Sequence, residues 1–296
     1  MSPHVLLFVH AHPDDETLAT GVALAHHARQ GHEVHVLTCT LGEEGEVIPA
    51  ELAHLASDRD DTLGPWRREE LRRAMAALGV RHRVLGEDPE RGVTSRWRDS
   101  GMAGTPTAAN PAAFVNADLD EAAAMVADVI RELRPAVVVT YDEHGGYGHP
   151  DHIQAHRVTC AAVAGLPDAE GPDLYAVLTP RSWALEDRTW LAEHVPAGSG
   201  WHVPGPGEAF APSVVDDGLV SHEIIDPEVV PAQEAALREH RTQVTVGERW
   251  FALSNDVASR LPGREGFTRL DPATGALVPP PAGAPRRTSL LPGAGA

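Results

Sequence analysis

Cysteine is nearly missing from this chain, with residues 39 and 160 the two present. Cys39 sits in a strand pattern and Cys160 in a helix pattern. Both are expected as small buried hydrophobes, and a disulfide framework is excluded. Basic residues are also scarce: Lys and Arg number 24 against 43 acids, a formal charge of -19. That removes the clustered positive charge needed to bind nucleic acid or anionic lipid without regard to sequence. No apolar run approaches the roughly 20 residues of a membrane span. The start, Met-Ser-Pro-His-Val, lacks the basic and long apolar regions of a signal peptide. A cytoplasmic protein with no nucleic-acid and no membrane partner is expected. A glycine fingerprint after the first strand and a Walker motif are missing too, which argues against a dinucleotide-binding oxidoreductase.

What remains is ample for a folded chain. With 296 residues, 42% of them hydrophobic, one large or two modest domains with a sizeable core are expected. The run Val5–His10 reads as a strand buried on both faces. Pro13 cannot donate to a ladder and pushes His12 toward extended backbone, so the strand ends there. Helical spacing follows from Glu16, with Gly31 as the stop. Residues 33–39 read as a second strand, 62–78 as an amphipathic helix closed by Gly79, and 82–85 as a third strand. Asp118 opens a helix that runs to Leu133, Pro135 stops it, and 136–140 form a fourth apolar strand. This alternation predicts an α/β fold: a Rossmann-like, mostly parallel sheet with helices on both faces. A catalytic domain over 1–194 is expected, then a smaller C-terminal α+β portion over 195–270 that completes the substrate site. In that portion 219–226 is a strand candidate and 227–240 a helix. Residues 271–296, rich in Pro, Gly and Ala, are expected to be a disordered tail.

Two clusters of chemistry-bearing residues fall at strand ends. His10, His12, Asp14, Asp15 and Glu16 crowd the end of the first strand. After the fourth strand come Tyr147, His149, Asp151 and His152, opening a helix over 153–164. Both loops read as strand, His-Pro-Asp, helix start, and in a parallel sheet both emerge on the edge where such sheets bind ligands. Imidazole nitrogen and carboxylate oxygen are zinc ligands, and a catalytic zinc keeps three protein ligands and one open position. Capping acids and incidental histidines are the bland alternative, in a chain with 17 histidines. That account suits His26, His27, His54, His82 and His194, and His156 fits a supporting or core position. For the two clusters together the metal reading is the better one. The irregular stretch 86–116 is long for a compact domain, a sign of function or disorder.

The segments 12–16 and 149–152 together resemble the paired signature of the LmbE/PIG-L-like zinc-dependent N-deacetylases. Residues 38–47, 96–105, 140–152 and 240–246 are similar to the mycothiol-biosynthesis branch, and the resemblance runs to about residue 256. It implies Zn(II), one per chain, with Fe(II) as the alternative metal, held by His12, Asp15 and His152. It implies Asp14 as general base, His149 as acid or electrostatic stabiliser oriented by Asp151, and Tyr147 as a donor to the amide carbonyl. Glu46, Arg67, Asp99, Met102 and Asn255 are the implied substrate contacts. The implied reaction removes the N-acetyl group of N-acetylglucosaminyl-inositol, a small-molecule pseudodisaccharide, giving glucosaminyl-inositol and acetate. A mycothiol S-conjugate amidase is the alternative within the family. That branch is associated with a Lys just after the first motif, and residues 17–21 contain none. A homo-oligomer is compatible with either reading.

Overall fold

Alternation along the first apolar run decides the layering. The computed structural model describes residues 3–167 and 171–293, and in it Val5–His10 forms β1, buried from Leu6 to His10. The remaining core strands are β2 (Glu33–Thr38), β3 (Arg81–Val84), β4 (Val137–Thr140) and β5 (Asp173–Pro180). They pair in parallel in the order β3-β2-β1-β4-β5. The helices are α1 (Asp15–Arg29), α2 (Leu63–Leu78), α3 (Leu119–Leu133), the single turn α4 (Gly145–Gly148), α5 (Pro150–Ala164), α6 (Arg181–His194) and α7 (Val230–Glu239). Because strand side chains alternate between faces, Leu6 and Phe8 pack with α1, α2 and α7. Leu7 and Val9 pack on the other side with α3 and α5. Helices therefore cover both faces, as expected for an α/β sheet.

The helix ends follow local chemistry. Gly79 ends α2 in the left-handed region at φ 70, and Asp118 caps α3 by accepting from Glu121 N at 2.9 Å. Helix α1 breaks at Thr20. Gln233 Nε2 donates to the freed Thr17 carbonyl at 2.9 Å, and the carboxylate of Glu265 accepts from Val22 and Ala23 N–H at 2.7 and 2.9 Å. A Cβ at Gly21 would stand 2.9 Å from the Gln233 side chain, so glycine permits that close approach.

The C-terminal third enlarges the same sheet. Short strands β6 (Val214–Val215) and β7 (His222–Ile225) come first. Then β8 (Thr245–Val246), β9 (Trp250–Ala252) and β10 (Ser259–Arg260) make a small three-stranded sheet. Strand β11 (Arg264–Leu270) pairs antiparallel with β5, and β12 (Leu277–Val278) pairs antiparallel with β11. The expectation of a disordered tail beyond residue 271 is corrected here. β12 extends the sheet, and Leu290 is buried in the core beside Phe267 and Ile224. Two leucines supply the apolar anchor that composition alone conceals; residues 294–296 lie outside the described residues. Among the described residues no helix is long and apolar enough to cross a membrane.

One buried histidine makes stability depend on pH. His27 of α1 is buried, and among the described residues neither ring nitrogen has a hydrogen-bond partner. Burial, reinforced by His26 and His32, pushes its pKa down to about 3. An unfolded histidine titrates near about 6.5, so the unfolded chain takes up this proton first. The folded state therefore has its full stability above pH 6.5 and loses it as pH falls toward 3, by about 2 kcal/mol at pH 5 from this group. His27→Leu removes that slope. Urea unfolding at pH 7 and pH 5 is expected to show a smaller acid loss in the variant, and equal losses would assign acid unfolding to other groups.

Candidate active site and metal centre

The strand order reverses between β1 and β4, and the loops leaving their carboxyl ends flank that switch point, where open α/β sheets bind ligands. Pro13 ends one strand, Pro150 starts α5, and His12, Asp15 and His152 meet between them. His12 Nδ1 lies 3.2 Å from Asp15 Oδ2. His152 Nε2 lies 3.2 Å from the same oxygen and 3.3 Å from His12 Nδ1. A tetrahedral centre with bonds of about 2.0–2.1 Å has edges of about 3.3–3.4 Å. The donor triangle is thus already spaced for a metal.

The other face of the His12 ring supports this. Its Nε2 lies 3.2 Å from Asp151 Oδ2 and 3.4 Å from Asp99 Oδ1. That is how a ligating imidazole donates its second N–H to a carboxylate. Asp151 is fully buried and is held by Ser100, whose N donates to Oδ2 at 2.9 Å and whose hydroxyl donates to Oδ1. Asp99 accepts from Gly101 N at 2.8 Å and Glu44 N at 3.2 Å. Burial works against charge on His12, but Asp99, Asp15 and Asp151 outweigh it and hold the His12 pKa well above its ordinary value. Burial likewise works against Asp15, yet His152 and His12 hold it well below the usual carboxylate range. The pocket favours a cation at its centre. His152 is oriented by stacking on Tyr141, with centroids 4.3 Å apart.

Two further donor groupings share His12: one with His149 and His152, the other with Asp99 and Asp151. Asp99 and Asp151 already accept the backbone and hydroxyl donors just described. His149 Nδ1 accepts from Asp151 N at 3.1 Å as it caps α5. The triangle of His12, Asp15 and His152 differs from both groupings in the short, nearly equal spacing of its three atoms, and its Asp15 Oδ2 also accepts from His12 N at 2.8 Å. Asp151 was expected to orient His149; its contact with that ring is made by its backbone N–H, whereas its carboxylate reaches His12. Because Nδ1 accepts, the proton of neutral His149 sits on Nε2, which makes that atom a donor. Burial, with His12 and His152 nearby, pushes the His149 pKa down to about 3, so the ring stays neutral.

Asp14 stands beside this triangle in an uncommon backbone state, φ 115 and ψ -35. A non-glycine residue in such a region costs on the order of 1–3 kcal/mol. Its N–H donates to Glu16 Oε2 at 3.0 Å, and its Oδ1 lies 3.3 Å from the Arg67 guanidinium. Burial, opposed by Arg67 and aided by Asp15, pushes the Asp14 carboxyl up to about 7. A carboxyl there can exchange a proton near neutrality. His10, behind the site, belongs to a directed chain of bonds. Ala11 N–H donates to Tyr141 Oη, Tyr141 O–H to His10 Nδ1, His10 Nε2–H to Thr20, and the Thr20 hydroxyl to Glu16 O. His10 is therefore a structural tie and not a donor to the triangle.

The site opens into a cavity of about 890 Å³ lined by His12, Asp14, Asp15, His149, His152 and Tyr147, among others. Tyr147 stands half exposed at the mouth, its ring 4.9 Å from that of His152. Gly145 lets this loop fold back, since a Cβ there would meet His152 Cβ at 2.6 Å. Of the expected substrate contacts, Glu46, Arg67, Asp99 and Met102 line the cavity. Asn255 is not in the lining; its Oδ1 accepts from Val257 N in an exposed turn. The 86–116 stretch supplies Asp99, Gly101, Met102, Thr105 and Thr107 to one wall. Arg98 turns away to Glu44 and Asp61, and Arg96 to Glu121. Sequence reasoning missed Ser100, although it lies inside a segment singled out for its resemblance. It also gave no role to Tyr141 or to the contact of His240 with Glu16, at 3.0 Å. No local pattern marks pairs so far apart in the chain.

The chain matches the family described as GlcNAc-PI de-N-acetylase (PIG-L) over residues 7–163. It is 50% identical over 274 residues to the 1D-myo-inositol 2-acetamido-2-deoxy-alpha-D-glucopyranoside deacetylase of Thermobispora bispora, covering 90% of this chain and 88% of that one. It is 48% identical over 278 residues to the protein of the same name from Thermobifida fusca, covering 91% and 94%. A crystal structure of a deacetylase from the teicoplanin biosynthesis pathway has a similar fold, with TM-score 0.50 at 19% identity, over 90% of this chain and 99% of that one.

Proposed function

This chain belongs to the GlcNAc-PI de-N-acetylase family, and from that premise we propose that it hydrolyses the N-acetyl group of 1D-myo-inositol 2-acetamido-2-deoxy-alpha-D-glucopyranoside. The products are glucosaminyl-inositol and acetate, a step of mycothiol biosynthesis. The carrying observation is the triangle of His12 Nδ1, Asp15 Oδ2 and His152 Nε2, with edges of 3.2–3.3 Å. Those three residues would hold one metal ion. Their nitrogen and oxygen donors suit Zn(II), and Fe(II) takes the same donor types. Bound there, the ion supplies a water acidified to a pKa of about 7 and a Lewis acid for the acetamide carbonyl.

The chain's own groups handle the protons and the developing charge. Asp14 takes a proton from the attacking water on a carboxylate oxygen and returns it to the departing amine nitrogen, a role suited to a carboxyl pushed up to about 7. His149 Nε2–H and the Tyr147 hydroxyl donate to the oxyanion as the carbonyl becomes tetrahedral. Asp151 keeps His12 in its tautomer and is thereby a positioning residue. Glu46, Asp99 and Met102 face the sugar and inositol from the cavity wall. Arg67, bonded to the Pro13 and Gly42 carbonyls, braces the base loop.

Acetate release is the direct test. The metal-replete protein is expected to turn over the inositol glycoside at least about tenfold better in kcat/KM than free N-acetylglucosamine, the worth of roughly one well-placed polar contact. A chelator is expected to abolish turnover and added Zn(II) to restore it. Equal kcat/KM for glycoside and free sugar would remove the inositol from the recognition, and preference for a mycothiol S-conjugate would make the protein an amidase.

A further inference from the structure

We infer that the buried Glu16–His240 pair is the device that positions Asp14, an inference that rests on Asp14 being the base proposed above. Asp14 holds its φ 115 conformation with both of its backbone groups hydrogen-bonded. Its carbonyl accepts from Thr17 N at 3.0 Å and Leu18 N at 2.9 Å, as in any helix start. Its N–H has a less ordinary partner, Glu16 Oε2 at 3.0 Å. A side chain two residues ahead thus holds the backbone of the base.

Glu16 can do this only if its carboxylate does not rotate, and its second oxygen shows what prevents rotation. Oε1 accepts from His240 Nε2 at 3.0 Å and from the Thr17 hydroxyl at 2.7 Å. Both members of the pair are fully buried, at 0% exposure. His240 is itself rigid. It follows α7, its N–H donates to Leu237 O, and its carbonyl accepts from Gln243 and Val244 N. Thr242, two residues on, is bonded twice to buried Glu70 of α2, at 3.0 and 2.7 Å. The C-terminal portion therefore reaches the base through one imidazole. His240 is neither a member of the donor triangle nor itself a lining residue of the cavity, and it reaches Asp14 through Glu16 and through its own charge nearby.

Three proteins test this by metal content, thermal stability, kcat and KM for acetate release. His240→Gln keeps a donor for Glu16, whereas His240→Phe fills the space without one. The double substitution Glu16→Leu with His240→Leu removes the buried pair in favour of apolar packing, a change that is often neutral or stabilising. His240→Gln is expected to keep kcat within about threefold of wild type. His240→Phe and the double variant are expected to lose on the order of 10- to 100-fold in kcat, with KM within about twofold and metal content unchanged, since a misplaced base loses part of the acid–base contribution. Glutamine and phenylalanine variants with equal kcat would overturn the inference, as would a stable, metal-replete double variant with wild-type kcat. Asp14→Ala in the same assay separates the two failures. If it retains turnover, the base assignment falls; if it is dead while the double variant is fully active, only the positioning role falls.

Discussion

An Asp14→Ala protein is expected to bind its metal at wild-type stoichiometry and to lose on the order of 100- to 10,000-fold in kcat. The range is what a positioned general acid–base group contributes. Metal is retained because the triangle of His12, Asp15 and His152 does not include the Asp14 carboxylate. Substrate affinity is largely retained because Asp14 faces the reacting centre and not the polyol. The loss should therefore fall in kcat and not in KM. Alanine also removes the Arg67 partner, whose guanidinium stays bonded to the Pro13 and Gly42 carbonyls, so the loop keeps its brace. Kinetics on protein of measured metal content decide the matter. Near wild-type kcat with full metal would assign the proton transfer to another group. Asp14→Asn is the poorer test, because its amide could join the donors.

The second large effect is loss of the metal itself. His152→Ala is expected to abolish stoichiometric metal binding, and turnover with it, while the fold persists. His152 stacks on Tyr141 at the edge of one core cluster, so alanine there removes one contact and leaves the rest of that core packed. His12→Ala is expected to do the same, and to strain the site as well. Asp15, Asp99 and Asp151 crowd that imidazole, and without it like charges face one another. Between these lies Asp151→Asn, which leaves the triangle intact and weakens the carboxylate that fixes the His12 tautomer. Changes at that distance from a metal typically cost 10- to 100-fold in affinity. Elemental analysis and metal competition measure all three. Full occupancy in both histidine variants would refute the donor triangle, and unchanged affinity in Asp151→Asn would refute the support assigned to it.

How much of this was legible beforehand varies by feature. The first parallel strands and their helices were plain, because side chains that alternate or recur every three to four residues encode burial locally. Pro13, Gly79, Asp118 and Pro135 marked element ends for equally local reasons. The ligand candidates were legible because each set falls within a few residues at the end of an apolar strand. The resemblance then supplied roles that no spacing could. Less visible were β5 and α6, between the second motif and the Pro- and Gly-rich stretch that follows. The tail was misjudged because Pro, Gly and Ala dominate its composition, whereas Leu290 and Leu291 reach the core.

By itself the sequence determined the layer architecture, the two loops that carry the chemistry and the donor types they bring, all products of short-range pattern. Tertiary structure alone decided which donors face each other. Asp151 turns to His12 across 139 positions and away from neighbouring His149. His240 reaches Glu16 across 224 positions, and β11 closes against β5 to complete the cavity wall. Such pairings depend on which strands lie side by side and on how far each loop folds back. Those are properties of the packed sheet, and no segment carries them alone.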